Sequence, residues 1–296
     1  MRKIVLLLFV LNLTLLFAEN WTYERETIQL PTGNTENEIY IYDAPDNFED
    51  VPDEGPTKFQ IDENGNVLIL DRKKIKKFDK TGKYLYSTGE HDLIIHSFTV
   101  HENTIFAICG DHQNNIYLRL FDVDFQLIDT YQIENRKSTL SINQNGKVGL
   151  NLGNNDFLEF NFIEDDLVVS NSQYLNDCIL DFNLREGKQL ILFPEENMEL
   201  DLKEIWPNEI GHYFMGFDKN GNLYFNIFSE PLGESSLVII SQSGEVIETN
   251  VIFQHYTQFS LDLASGIPNI VTPDGQIYQM IPMKEKVEIR KWEKVE

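Results

Sequence analysis

The sequence predicts an all-β protein, a six-bladed β-propeller closed by its own N-terminal strand. Three observations lead there. Apolar and polar residues alternate at period two along much of the chain, the pattern of half-buried strands. Polar turns marked by Gly65, Asn103, Gly146, Gly187, Gly221 and Gly275 return at intervals of about 40 residues. No stretch of helical periodicity separates the units, which argues against alternating α/β folds. Each unit carries oily faces that it can hide only against its neighbours, so the units must stack.

The chain opens with Arg2 and Lys3, followed by an apolar run from Ile4 to Leu11 that continues through Leu13 and from Leu15 to Ala18. A basic start, an apolar stretch and a small residue read as a secretory signal peptide over residues 1–18. Cleavage after Ala18 leaves residues 19–296 as one propeller domain, placed in the periplasm or outside the cell. The stretch is short for a membrane span of about 20 apolar residues, and no later segment is apolar enough to cross. The expectation is therefore no integral membrane protein once the leader is removed.

The formal charge is −24, and loss of Arg2 and Lys3 makes it more negative still. Such a field repels nucleic acid and anionic membranes and favours a soluble, monomeric chain. Cys109 and Cys178 fall in non-adjacent units, each beside apolar strand residues. Two separate buried thiols are expected, although export permits a disulfide.

Taken in order, Trp21 to Leu30 alternates (Tyr23, Arg25, Thr27 against Glu24, Glu26, Ile28) and is expected to add the outer strand of the last blade. Glu38 to Tyr42 reads as a further strand, and Asp43 to Pro56 as an acidic surface loop. The clearest unit runs from Phe59 through the turn Asn64-Gly65 to Asp71, then from Ile75 through Thr81-Gly82 to Leu85. Such turns need positive φ, which Gly supplies. The same grammar returns from Phe214 to Phe225 around Asn220-Gly221 and from Ile270 to Tyr278 around Asp274-Gly275. Weaker copies run from Phe98 to Phe121, Leu140 to Phe162, and Ile179 to Ile205.

Asp62-x-Asn64 and Asp218-x-Asn220 have the look of calcium loops, but Gly follows three places after the Asp rather than five, so they read as hairpin turns. His91, His96 and His101 are spaced by five, which on a strand alternates faces and makes no single ligand set. The Gly-x-Ser-x-Gly elbow of hydrolases is absent.

The run Ile61-Asp62-Glu63-Asn64-Gly65-Asn66-Val67-Leu68-Ile69-Leu70-Asp71, with Ile75, Phe78-Asp79 and Gly82-Lys83, resembles NHL-type repeats of the six-bladed propellers of secreted bacterial proteins, within the TolB-like superfamily. The resemblance implies architecture. Propellers of this kind serve as scaffolds, sensors and enzymes, so it does not deliver a function. Glu54-Gly55-Pro56 and Pro268-Asn269 are similar to motifs in metal-dependent lactonase propellers of the gluconolactonase-like group. That likeness implies calcium, with Glu54 and Asn269 as ligands. Its middle ligands find no match here, because His96, Ser138 and Asp177 sit in weak repeats.

Topology supplies one generic site, since loops converge at a mouth of the central channel. Lys58, His96, Ser138, Asp177, His212 and Asn269 start the innermost strands. Arg72, Asp111, His112, Asp156 and Glu195 come from loops joining second and third strands at the same end. The expectation is a non-catalytic binding or scaffolding protein, without a cofactor, that takes a protein, peptide or glycan there. The alternative is a calcium-dependent lactonase or esterase.

Overall fold

The computed structural model describes residues 21–43, 54–88, 93–133, 139–153, 156–163, 166–173, 179–181, 190–193, 198–201, 209–229, 234–253, 259 and 269–294. The leader at 1–18, His91, Ser138, Asp177, Cys178 and Glu195 lie outside these residues. Among the described residues all strands pair antiparallel within their sheets, in a propeller-like arrangement. Strand β1 (Trp21–Pro31) precedes the first sheet, which is β2 (Lys58–Ile61), β3 (Val67–Asp71), β4 (Lys74–Phe78) and β5 (Tyr84–Ser87). The second is β6 (Ile94–His101), β7 (Thr104–Gly110), β8 (Ile116–Asp122) and β9 (Leu127–Ile133). The third is β10 (Thr139–Ile142), β11 (Val148–Gly153), β12 (Asp156–Ile163) and β13 (Asp166–Gln173). A three-stranded sheet follows, with β14 (Ile179–Asp181), β15 (Leu190–Phe193) and β16 (Met198–Asp201). Next come β17 (Glu209–Phe217), β18 (Leu223–Ser229), β19 (Glu234–Ile240) and β20 (Val246–Phe253). The last sheet is β21 (Asn269–Val271), β22 (Ile277–Met283) and β23 (Lys286–Lys294), with β1 on its outer side.

Strand alternation decides how the sheets stack. On β3, Val67 and Ile69 join a core with Phe59, Phe78, Tyr278, Met280, Val287, Ile289 and Leu30. Their neighbours Leu68 and Leu70 point the other way, into a core with Ile95, Phe98, Ile105, Ala107, Cys109 and Phe121. One strand thus seals the first sheet to the last on one face and to the second on the other. Phe106, Leu118 and Leu120 carry the stack from the second sheet to Leu140, Val148 and Leu150 of the third. Met215, Tyr224 and Ile239 of β17–β19 meet Ile277 of β22. Because β1 pairs with β23 (Leu30 opposite Val287, Ile28 opposite Ile289), the two ends of the chain share one sheet, as the sequence leads one to expect. Its alternation is broken by a register shift between Glu24 and Ile28.

One hairpin turn recurs through the molecule. The carbonyl of Asp62, Asp79, Asp111, Asp122, Asn143, Asp218, Ser241 or Thr272 accepts the N–H three residues on, and its own N–H donates to the carbonyl four residues on. The fourth residue needs positive φ. It is glycine in six of these turns, but Asn114 (φ 65) and Phe125 (φ 60) fill it in the second sheet. The side chain completes the turn. Asp62 Oδ1 accepts the N–H groups of Asn64 and Asn66, and its Oδ2 accepts from Asn66 Nδ2. These carboxylates are occupied by their own turns, as the hairpin reading of Asp62 and Asp218 expects.

The run Glu38 to Tyr42 departs from the sequence reading. It forms single bridges, Thr32 with Ile39 and Tyr42 with Glu54, rather than a laddered strand. Side chains add to the backbone bonds of these bridges. Lys76 donates to the Glu38 carbonyl, and Asp71 accepts the Tyr40 N–H at 3.3 Å. Two buried ion pairs stiffen the first sheet, Lys76 with Asp71 at 2.6 Å and Lys77 with Asp62 at 3.0 Å. Lys77 also donates to the Val123 carbonyl of the second sheet. Replacing Lys77 by methionine leaves the buried Asp62 charge unpaired and is expected to cost about 3 kcal/mol. Urea unfolding measures this, and the added change Asp62→Asn should recover part of the loss.

Candidate functional site

In every sheet but the last, chain order matches strand order, so the first strand is always an edge. An edge strand leaves half of its backbone N–H and C=O groups unpaired within the sheet. The first strands β2, β6 and β10, together with β17 and β21, border a common cavity of about 630 Å³. Its wall combines apolar residues (Phe59, Ile142, Phe214, Met215, Val271) with amides and hydroxyls (Gln60, Thr99, Ser141, Asn143, Asn151). The first hairpin turns of the third and fifth sheets form part of its border, through Asn143 to Gly146 and through Asp218 and Lys219. Gln144 reaches from the third sheet to the fifth, where a Cβ added to Gly221 would lie 2.8 Å from its Nε2.

Lys58 is half-buried in this wall. Its ammonium donates to Ser97 Oγ at 3.1 Å and to the Leu140 carbonyl at 3.3 Å, touching the first, second and third sheets at once. Among the described residues it has no carboxylate partner. Burial alone pushes its pKa down to about 8. The acid of the lining, Asp218, is engaged with the N–H groups of Asn220 and Asn222 and with the Tyr224 hydroxyl. His101 and Lys219 also border the cavity.

The other nominated residues fall differently. The register places the Arg72 turn at the Lys58 end of the first sheet and the Asp111–His112 turn at the corresponding end of the second. Arg72 has φ 57 and its guanidinium lies over the Tyr40 ring. Asp111 accepts the N–H groups of Gln113 and Asn115, and these bonds, with the Asn115 amide foremost, hold its pKa below the usual carboxylate range. His96 is exposed on a β6 bulge beside Gly110, and His112 is exposed in its turn. His212 stands on β17 opposite Ile227, and Asp156 opens β12 opposite Gly153. Asn269 is fully buried at the start of β21, and among the described residues neither its Oδ1 nor its Nδ2 has a partner. Of the nominated residues that are described, Lys58 alone borders the cavity. The sequence reading missed Thr99, Ser141 and Asn143, whose only signal is position near the end of a first strand.

Calcium takes six to eight oxygens. Glu54 is exposed, with its backbone bridging Tyr42, and among the described residues no group of three His, Cys, Asp or Glu converges. Cys109 is a free buried thiol whose pKa burial pushes up to about 12, which keeps it protonated and inert.

No protein-family model matches the chain. No curated protein matches it either. Among solved structures it is similar to a protein of unknown function from Bacteroides caccae, at 12% identity and a TM-score of 0.42, over 71% of this chain and 85% of that one. No helix among the described residues is long and apolar enough to cross a membrane.

Proposed function

We propose that the chain is an exported, non-catalytic binding propeller of six blades whose central cavity takes a small organic ligand. The cavity carries the reading. Its volume of about 630 Å³ falls within the range of roughly 300–1,000 Å³ typical of small-molecule sites. It is bordered by the first strands of five sheets, so a ligand there would touch most of the ring. The three-stranded sheet β14–β16 takes the place of the fourth blade in chain order, and the core shared by the first and last sheets supports a closed ring. The leader supports a periplasmic or extracellular location, and the acidic surface supports a monomer that avoids nucleic acid.

Ligand-observed NMR of a fragment library against wild type and Gln144→Trp tests the reading. Gln144 borders the cavity at a turn, where a larger side chain intrudes without touching a sheet core. The expected result is a set of binders whose signals disappear in the folded variant. Binders indifferent to the substitution would place recognition elsewhere on the surface.

A further inference from the structure

We propose that the cavity selects organic monocarboxylates, whose anionic group docks on the Lys58 ammonium. The proposal rests on the reading of the channel as a binding cavity and names the class of ligand. Its ground is a mismatch of charge. Every other ammonium buried in the first sheet has an acid, with Lys76 on Asp71 and Lys77 on Asp62. Lys58 borders the cavity, and among the described residues its ammonium donates to two neutral oxygens and to no carboxylate. An ammonium has three N–H donors, so one remains for a ligand oxygen. A buried charge without a counter-ion is costly, and a bound carboxylate would remove that cost.

The surroundings favour one negative charge over two. Asp218 stands in the same wall, and the whole chain is strongly acidic, so a dianion meets more repulsion than a monoanion. Among the described residues no arginine fork suited to phosphate borders the cavity. The mixed wall, with Ile142, Phe214 and Val271 beside polar residues such as Gln60, fits a ligand with an apolar body. Among the described residues, the charged and titratable groups bordering the cavity besides Lys58 are His101 on β6 and Asp218 and Lys219 after β17.

The test titrates benzoate, hexanoate, N-acetylglycinate and glucuronate, each beside its primary amide, and inorganic phosphate as a separate arm. Saturation-transfer NMR at pH 7 reads wild type, Lys58→Met and Lys58→Gln, with urea unfolding to show that each is folded. The expected result is at least one carboxylate bound about tenfold or more tightly than its amide, with the preference lost in both variants. Equal binding of acid and amide, or a preference that survives both substitutions, would overturn the proposal while leaving the cavity a binding site. Tighter binding of phosphate than of every carboxylate would overturn it, and so would silence from all the carboxylates. If the neutral fragments also bind without regard to Gln144→Trp, the cavity reading itself fails.

Discussion

Replacing Lys58 by methionine is expected to remove a rise in stability that the wild-type protein shows as the pH climbs from about 8 toward 10.5. Burial lowers the folded-state pKa of this ammonium from 10.5 to about 8. Below pH 8 both folded and unfolded chains carry the charge, and the folded chain bears its full desolvation cost. Between the two values the folded chain has lost the proton while the unfolded chain keeps it. The unfolded state then binds more protons, so stability increases with pH. The shift corresponds to roughly 3 kcal/mol. Other groups titrate in this range, so the informative quantity is the difference between the two proteins. At pH 7 the methionine variant gives up the bonds to Ser97 and Leu140 but gains the desolvation cost, and its advantage should shrink by about 3 kcal/mol on reaching pH 10.5. Urea unfolding at several pH values checks this. A difference that does not change with pH would mean that Lys58 is solvated. Loss of carboxylate preference in the same variant would explain a residue that destabilises its own fold at neutral pH by a role in binding.

Leu30→Ala is expected to cost about 2–5 kcal/mol, as for other fully buried leucines. Leu30 is 0% exposed on β1, and it belongs to the same core as Phe59 of the first sheet and Val287 of the last. That shared core is where the beginning and end of the ring meet. A double-mutant cycle with Phe59→Ala should therefore show coupling above about 0.5 kcal/mol. Strict additivity would mean that the first and last sheets do not pack together, and the closed arrangement would fail.

Much of the fold was legible because its signals are local. The unbroken apolar run Val67 to Leu70 announces a strand buried on both faces, and Asn64-Gly65 and Asn220-Gly221 announce the turns that join strands. The alternation of Trp21 to Leu30 was enough to place that strand outside the last sheet. The weak units were weak for a physical reason. In the second sheet Asn114 and Phe125 adopt the positive φ that glycine marks elsewhere, so the turns are present without their sign. Glu38 to Tyr42 misled because its alternation serves packing, with Ile39 fully buried, while its backbone is held by Lys76 and Asp71.

The site was less legible. Lys58 could be nominated from topology, as the start of a first strand, yet nothing in its neighbourhood of sequence shows that its ammonium reaches Ser97 and Leu140. Those partners come from two other sheets. Arg72, Asp111 and His112 share the same topological logic, but Arg72 lies on Tyr40 and Asp111 caps its own turn. The side chain's nearest partner, rather than the position of the loop, decides which residues remain for a ligand.

The most direct test is a pH titration of the lysine side-chain resonances, with Lys58 assigned by its loss in Lys58→Met. The account predicts one lysine with a midpoint of about 8, moving upward when a bound carboxylate supplies the missing counter-charge. A Lys58 midpoint near 10.5, unchanged by any carboxylate, would contradict it.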